Sequence, residues 1–184
     1  MKKRLAAWSS FFYRITSTRN ALLAFAGQLL FSIVIFPAAQ AKFDITGKIG
    51  VPDLHFGFTP ETLYRIFENY GPDGRKFYLM TEVFADSIYP LVYTLFDILL
   101  LSLVLRRMFP EGNPWRLLNL LPLSTLLFDY LENAFILKVL LNFPEHNDMA
   151  ARLACMAQYG KWGSLGLCLA LLLFLVGMLL RRRL

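Results

Sequence analysis

Four long apolar runs limit what this chain can fold into. They cover residues 21–41, 75–105, 117–141 and 152–180. A run of about 20 apolar residues, rising 1.5 Å each, crosses roughly 30 Å of bilayer hydrocarbon. Each run reaches that length. Only 17% of the residues are charged and 57% are hydrophobic, whereas a soluble domain has about 25% charged residues. The apolar excess sits in blocks, as a membrane protein requires. The expected fold is all-α: a polytopic membrane protein, a four-transmembrane-helix bundle forming one domain over residues 1–184, with a short amphipathic helix in its first outer loop.

The basic residues give the chain a direction. The net charge is +6, but the charge gathers at the ends of the apolar runs, which points to membrane orientation and away from nucleic acid. With the amino terminus inside, the cytoplasmic segments hold Lys2, Lys3, Arg4, Arg14, Arg19, Arg106, Arg107, Arg116 and Arg181–Arg183, eleven in all. The outer loops hold six: Lys42, Lys48, Arg65, Arg75, Lys76 and Arg152. Both termini are therefore expected in the cytoplasm. Residues 1–20 interleave Trp8, Phe11, Phe12 and Tyr13 with basic residues, a pattern that fits either an amphipathic segment on an anionic membrane surface or a solvated basic tail. The first run ends Ala39-Gln40-Ala41, which resembles a signal-peptidase site. Its apolar stretch exceeds the usual h-region of about 7–15 residues, so retention as a membrane helix is expected.

The outer loop, 42–74, carries one helix signal. Thr59 is a cap, Pro60 a first helical residue and Glu61 a first-turn acid. Leu63, Ile66, Phe67 and Tyr70 then form a narrow apolar stripe, and Gly71-Pro72-Asp73-Gly74 is expected to stop it. In the second run Pro90 frees the carbonyl of Asp86, so a kink is expected there.

Polar residues inside the apolar runs are the functional signal. Asp129, Glu132 and Asn133 share one face of the third run. A charge at such depth costs at least about 2.5–3.5 kcal/mol. Asp86, Tyr89, Tyr93 and Asp97 form a stripe on the second run. Counted from the cytoplasmic ends at 1.5 Å per residue, Tyr93 and Asp129 both lie about 18 Å up. Tyr89, Glu132 and Asn133 lie at about 23–24 Å, and Asp86 and Lys161 at about 28 Å, with Gln158 just above. The stripes are expected to face each other, because polar groups in lipid turn inward and pair. Lys161 is the expected counter-ion of Asp86 or Glu132, and Tyr89 and Tyr93 the expected donors to Asp129 or Glu132. The candidate pocket is therefore Asp86, Tyr89, Tyr93, Asp97, Asp129, Glu132, Asn133, Gln158 and Lys161, capped by the Thr59–Tyr70 helix. A network that only fixes helix packing is the alternative. Gly160, Gly163, Ser164, Gly166 and Ala170 give the fourth run a small-residue face for close packing.

Other chemistries find little support. Cys155 and Cys168 lie about 20 Å apart on one helix and cannot bridge. His55 and His146 fall in outer loops, near Asp53 and near Glu145 and Asp148, without a recognised ligand spacing. No phosphate loop, nucleophile elbow, HExxH or serine triad is present. No metal and no cofactor are expected.

Phe-Gly-Phe-Thr-Pro-Glu (56–61), Tyr-Gly-Pro-Asp-Gly-Arg-Lys (70–76), Asp-Ser-Ile-Tyr-Pro-Leu-Val-Tyr (86–93) and the Leu-Pro-Leu…Phe-Asp-Tyr-Leu-Glu-Asn stretch (121–133) resemble a family of small bacterial four-helix integral membrane proteins. The resemblance implies fold and a multi-pass place in the bacterial cytoplasmic (inner) membrane, and supplies no mechanism. A looser likeness, in architecture only, is to EXPERA-type four-helix domains, which have acids facing an internal cavity. The expected partners are membrane lipids and a small amphiphilic ligand held in the pocket. The alternatives are a membrane enzyme using Asp129 and Glu132 for acid–base chemistry on a lipid, a transporter subunit that would need a homo-oligomer, and an accessory protein.

Overall fold

A computed structural model describes residues 2–44 and 47–181 of the chain, and among them there is no strand. Arg182 and Arg183 of the terminal basic run lie outside the described residues. Among the described residues, four helices are long and apolar enough to cross a membrane: Thr18–Phe43, Pro60–Met108, Pro114–Asn142 and Asp148–Arg181.

The chain begins with α1, Lys2–Ile15. This segment is a helix packed by side-chain bonds against the 113–120 stretch. Ser9 Oγ donates to Asn119 Oδ1 (2.8 Å), Tyr13 hydroxyl donates to the Arg116 carbonyl (3.0 Å), and the Arg116 guanidinium lies 4.0 Å from the Tyr13 ring centre. Leu5, Trp8 and Phe11 remain exposed. Ser17 caps the next helix by accepting from Asn20 N–H (3.0 Å).

The first long helix is α2 (Thr18–Leu30), a π-helical turn (Phe31–Ile35) and α3 (Phe36–Phe43). The second is α4 (Pro60–Met80), another π-turn (Thr81–Ala85), a three-residue break and α5 (Tyr89–Met108). Each wide turn comes just before a proline, Pro37 or Pro90. A proline lacks the N–H of the regular ladder and crowds the carbonyl four residues back. The kink expected at Pro90 thus becomes a full interruption over residues 86–88, with the Asp86 N–H bonded to Thr81 O (2.9 Å).

The stop expected at residues 71–74 falls at Gly71, whose backbone leaves the helical region, and a new helical stretch follows at once rather than a loop. The amphipathic helix and the second long helix meet at a sharp bend at Gly71 (φ 66°, ψ 177°), a positive φ that glycine adopts without Cβ strain. Pro72 then restarts the helix, where its missing N–H costs nothing. Thr59, Pro60 and Glu61 do begin α4. Leu63, Ile66, Phe67 and Tyr70 are buried with Phe43, Tyr78, Ile136, Val139, Ala151 and Ala154 in one apolar core. That core sits at the end of the molecule that carries the 44–59 and 143–147 connections. A second core, Leu101, Leu105, Met108 and Leu175, lies at the opposite end, near α1.

After a 3-10 segment (Pro114–Leu120) come α6 (Pro122–Asn142) and α7 (Asp148–Arg181), packed along each other. Of the three glycines on the small-residue face of α7, Gly160 is the one in close contact. A Cβ on Gly160 would stand 2.4 Å from the Phe128 ring, whereas one on Gly163 or Gly166 would meet nothing within 4 Å. Gly160→Ala should therefore lower stability by about 1–3 kcal/mol through overpacking. Gly163→Ala should leave the unfolding midpoint in detergent unchanged, and the pair can be compared by thermal unfolding.

Candidate functional site

Lys161, in the amino-terminal half of α7, is 8% exposed and surrounded by acids. Its Nζ is 3.0 Å from Asp53 Oδ1 and 3.3 Å from Asp129 Oδ1, and it also pairs with Glu132. Tyr93 hydroxyl donates to the other Asp129 oxygen (2.6 Å), so this carboxylate is held from two sides. Asp129 and Tyr93 are the pair that depth counting sets at one level.

Of the two partners expected for Lys161, Asp86 or Glu132, the structure pairs it with Glu132. Asp86 accepts from Asn133 Nδ2 (2.7 Å), and Lys161 goes to Glu132, Asp129 and Asp53 instead. Tyr89 does not reach Glu132 or Asn133. Its hydroxyl lies 3.3 Å from Ser32 Oγ, and its ring packs against Phe31, Phe36 and Tyr93. The break at residues 86–88 explains this, because it rotates α5 relative to a continuous helix.

Gln158, fully buried, ties the outer loop to the helices. Its Nε2 donates to Glu132 Oε1 (3.2 Å) and to the Pro52 carbonyl (3.1 Å), and its Oε1 accepts from Gly57 N–H (2.7 Å) and Phe58 N–H (3.3 Å). These bonds press a short 3-10 turn, Pro52–Leu54, onto the helix ends and carry Asp53 to Lys161.

Beside this cluster lies a cavity of about 500 Å³. Its polar side has Asp53, Glu82, Asp86, Asp129, Lys161 and, toward the other end, Asp97 with Gln28 and Thr125. Its apolar side has Phe36, Pro37, Phe43, Tyr89, Trp162 and Leu165. Ser32, Pro37 and Leu54 on its lining are exposed, so the cavity reaches the outside along the first long helix. Of the nine expected site residues, Asp86, Tyr89, Tyr93, Asp97, Asp129 and Lys161 line it. Glu132, Asn133 and Gln158 are buried behind the wall: Asn133 bonds Asp86 and Glu132 pairs with Lys161, both on the lining, while Gln158 bonds Glu132 and the Pro52–Phe58 loop.

Sequence reasoning missed Glu82, Tyr78 and Asp53. Glu82 lies four residues before Asp86 and so belongs to the same stripe, a signal available to periodicity. Tyr78 continues that stripe one turn further out. Asp53 gave no such signal, because a loop residue has no period. The histidines serve the loops: His55 Nε2 is 2.7 Å from the Ile49 carbonyl, and His146 stacks on Tyr64 with ring centres 3.9 Å apart.

Comparison of the chain with protein-family models, with curated proteins and with solved structures gives no match. The functional reading rests on the site itself.

Removing Lys161 would leave Asp53, Asp129 and Glu132 facing one another without a cation. Breaking a buried pair in this way costs about 3–5 kcal/mol, because the remaining charge is uncompensated. Lys161→Met should destabilise the protein on that scale, and adding Glu132→Gln should recover part of the loss. A denaturant titration followed by helical circular dichroism measures both.

Proposed function

We propose that the chain is a multi-pass protein of the bacterial inner membrane with both termini in the cytoplasm, its four long helices bundled across the bilayer, and that it binds a lipid or small amphiphile in the cavity beside Lys161. The observation that carries the binding reading is the two-sided lining. One wall offers carboxylates, a lysine and tyrosine hydroxyls, and the other offers Phe36, Pro37, Trp162 and Leu165. A cavity of about 500 Å³ lies within the roughly 300–1,000 Å³ of small-molecule sites. Its exposed rim, Ser32 and Pro37, belongs to an apolar helix, so in a membrane the entrance faces acyl chains. The polar end of the guest would meet Asp129, Tyr93 and Lys161, and its tail would run along the aromatic wall.

The orientation is supported by the grouping of loops. Among the described residues, α1, Arg106 and Arg116 meet at one end, through Arg106 Nη1 to Thr16 O (3.0 Å) and Tyr13 to Arg116 O. The long loop and the 143–147 connection meet at the other, through Asn147 N–H to Tyr64 and Gln158 to Gly57. The more basic end is the cytoplasmic one under the positive-inside rule. There the exposed Leu5, Trp8 and Phe11 of α1 would lie in the interface.

For acid–base chemistry the cavity presents Asp129 and Asp86, since Glu132 is enclosed by Gln158 and Lys161. The amphiphile reading has the broader support, from both walls of the cavity.

Ser32→Trp places an indole in the cavity mouth at an exposed position. Native mass spectrometry of the protein released from membranes should show retained lipid on the wild type and its loss in Ser32→Trp. Equal retention by both would place the lipid outside this cavity and overturn the reading.

A further inference from the structure

The five buried or half-buried acids at the outer end of the cavity divide into two groups of three that share Asp53. One is Asp53, Asp129 and Glu132; the other is Asp53, Glu82 and Asp86. In each group one oxygen from every carboxylate lies within 4.8 Å of the others. The first group has its cation, since Lys161 bonds all three members. The second has none of its own. Asp86 receives the Asn133 amide, and among the described residues neither Asp86 nor Glu82 forms an ion pair.

Glu82 supplies the observation that points to a ligand. Its side chain is 4% exposed and lines the cavity, and its Oε2 makes no hydrogen bond. The hydroxyl of Tyr78, 1% exposed, also lines the cavity beside it without a well-formed hydrogen bond. The Tyr78 hydroxyl faces the Glu82 carboxylate in a loose contact, which leaves an enclosed acid without a cation in a wall already rich in negative charge, a costly arrangement. A cation placed between them would offset that cost.

The geometry selects the class of cation. Oxygen ligands at about 2.0–2.6 Å from one hard ion stand at most roughly 4–5 Å from each other, which is the spacing of this group. Every donor is oxygen, and no imidazole or thiol belongs to the group. Carboxylate, hydroxyl and water ligands suit Mg²⁺, Ca²⁺ and Mn²⁺ rather than Zn²⁺ or copper. We propose that Asp53, Glu82 and Asp86, with the Tyr78 hydroxyl beside them, bind one hard divalent cation at the outer end of the cavity. The ion neutralises the acid group that Lys161 does not, and it joins the Pro52–Leu54 turn to the second long helix. It does so whether or not an amphiphile occupies the rest of the cavity.

The test uses the full chain in detergent micelles, freed of metal with EDTA and desalted. Mn²⁺ is titrated in, and the free ion is read from its electron paramagnetic resonance signal. Saturable uptake of one Mn²⁺ per chain, displaced by Ca²⁺, is expected. Glu82→Gln and Asp86→Asn should each weaken it by at least about tenfold, since each removes a charged ligand. Asp148→Asn, an exposed acid outside the cluster, should leave it unchanged. Glu132→Gln, which alters the Lys161 group, should still bind. No uptake by the wild type would overturn the proposal and show that protons alone neutralise these acids. Uptake indifferent to both Glu82→Gln and Asp86→Asn, or abolished only by Glu132→Gln, would overturn it as well. If Glu82→Gln does not fold, wild type against Asp86→Asn decides the matter.

Discussion

The ammonium of Lys161 is the point on which the interior depends. It reaches Asp129 and Glu132 on α6 and Asp53 in the outer loop, so one side chain joins two helices and a connection. In an apolar surround each of those carboxylates is costly alone, and the lysine is as costly without them. The groups are therefore mutually required. Gln158, one turn earlier on α7, adds four hydrogen bonds that hold the loop in the position Asp53 needs. A single helix face thus sets both the charge balance and the loop.

The two wide helical turns give this cluster a cavity to border. Pro37 and Pro90 interrupt the first and second long helices, and the π-turns beside them flank the open volume. A regular pair of helices would place side chains there instead. The break at residues 86–88 also turns Tyr89 toward the first helix while Tyr93 stays on Asp129. The backbone irregularity at residues 81–88 thus lies directly beside the buried acids Glu82 and Asp86. Packing networks by themselves contribute only about 0.6 kcal/mol per hydrogen bond in membranes, a small return for so many enclosed charges.

Acid excess and a two-faced lining are consistent with each other. Lys161 balances only part of the negative charge, so the cavity retains a strongly polar outer end and a less polar inner one, at Asp97, Gln28 and Thr125. The outer end, closed by the Pro52–Leu54 turn, is also where the acids without an ion pair stand.

Much of this was readable in the sequence, because lipid-length helices obey simple periodicities. Run length and charge gave four long helices and grouped the loops by end. The i, i+3 and i+4 spacing put Asp129, Glu132 and Asn133 on one face, and level counting paired Tyr93 with Asp129. The same arithmetic extended by one turn would have reached Glu82. What tertiary structure alone decided is who meets whom. Helix rotation, altered by the break before Pro90, gave Asn133 to Asp86 and moved Tyr89 away. Gln158 brought Asp53 in from a loop where no period exists to predict it. Glu132 was placed behind the wall and Asp86 on it, though the two look alike in sequence, because the side a carboxylate faces depends on how neighbouring helices turn and not on its own spacing.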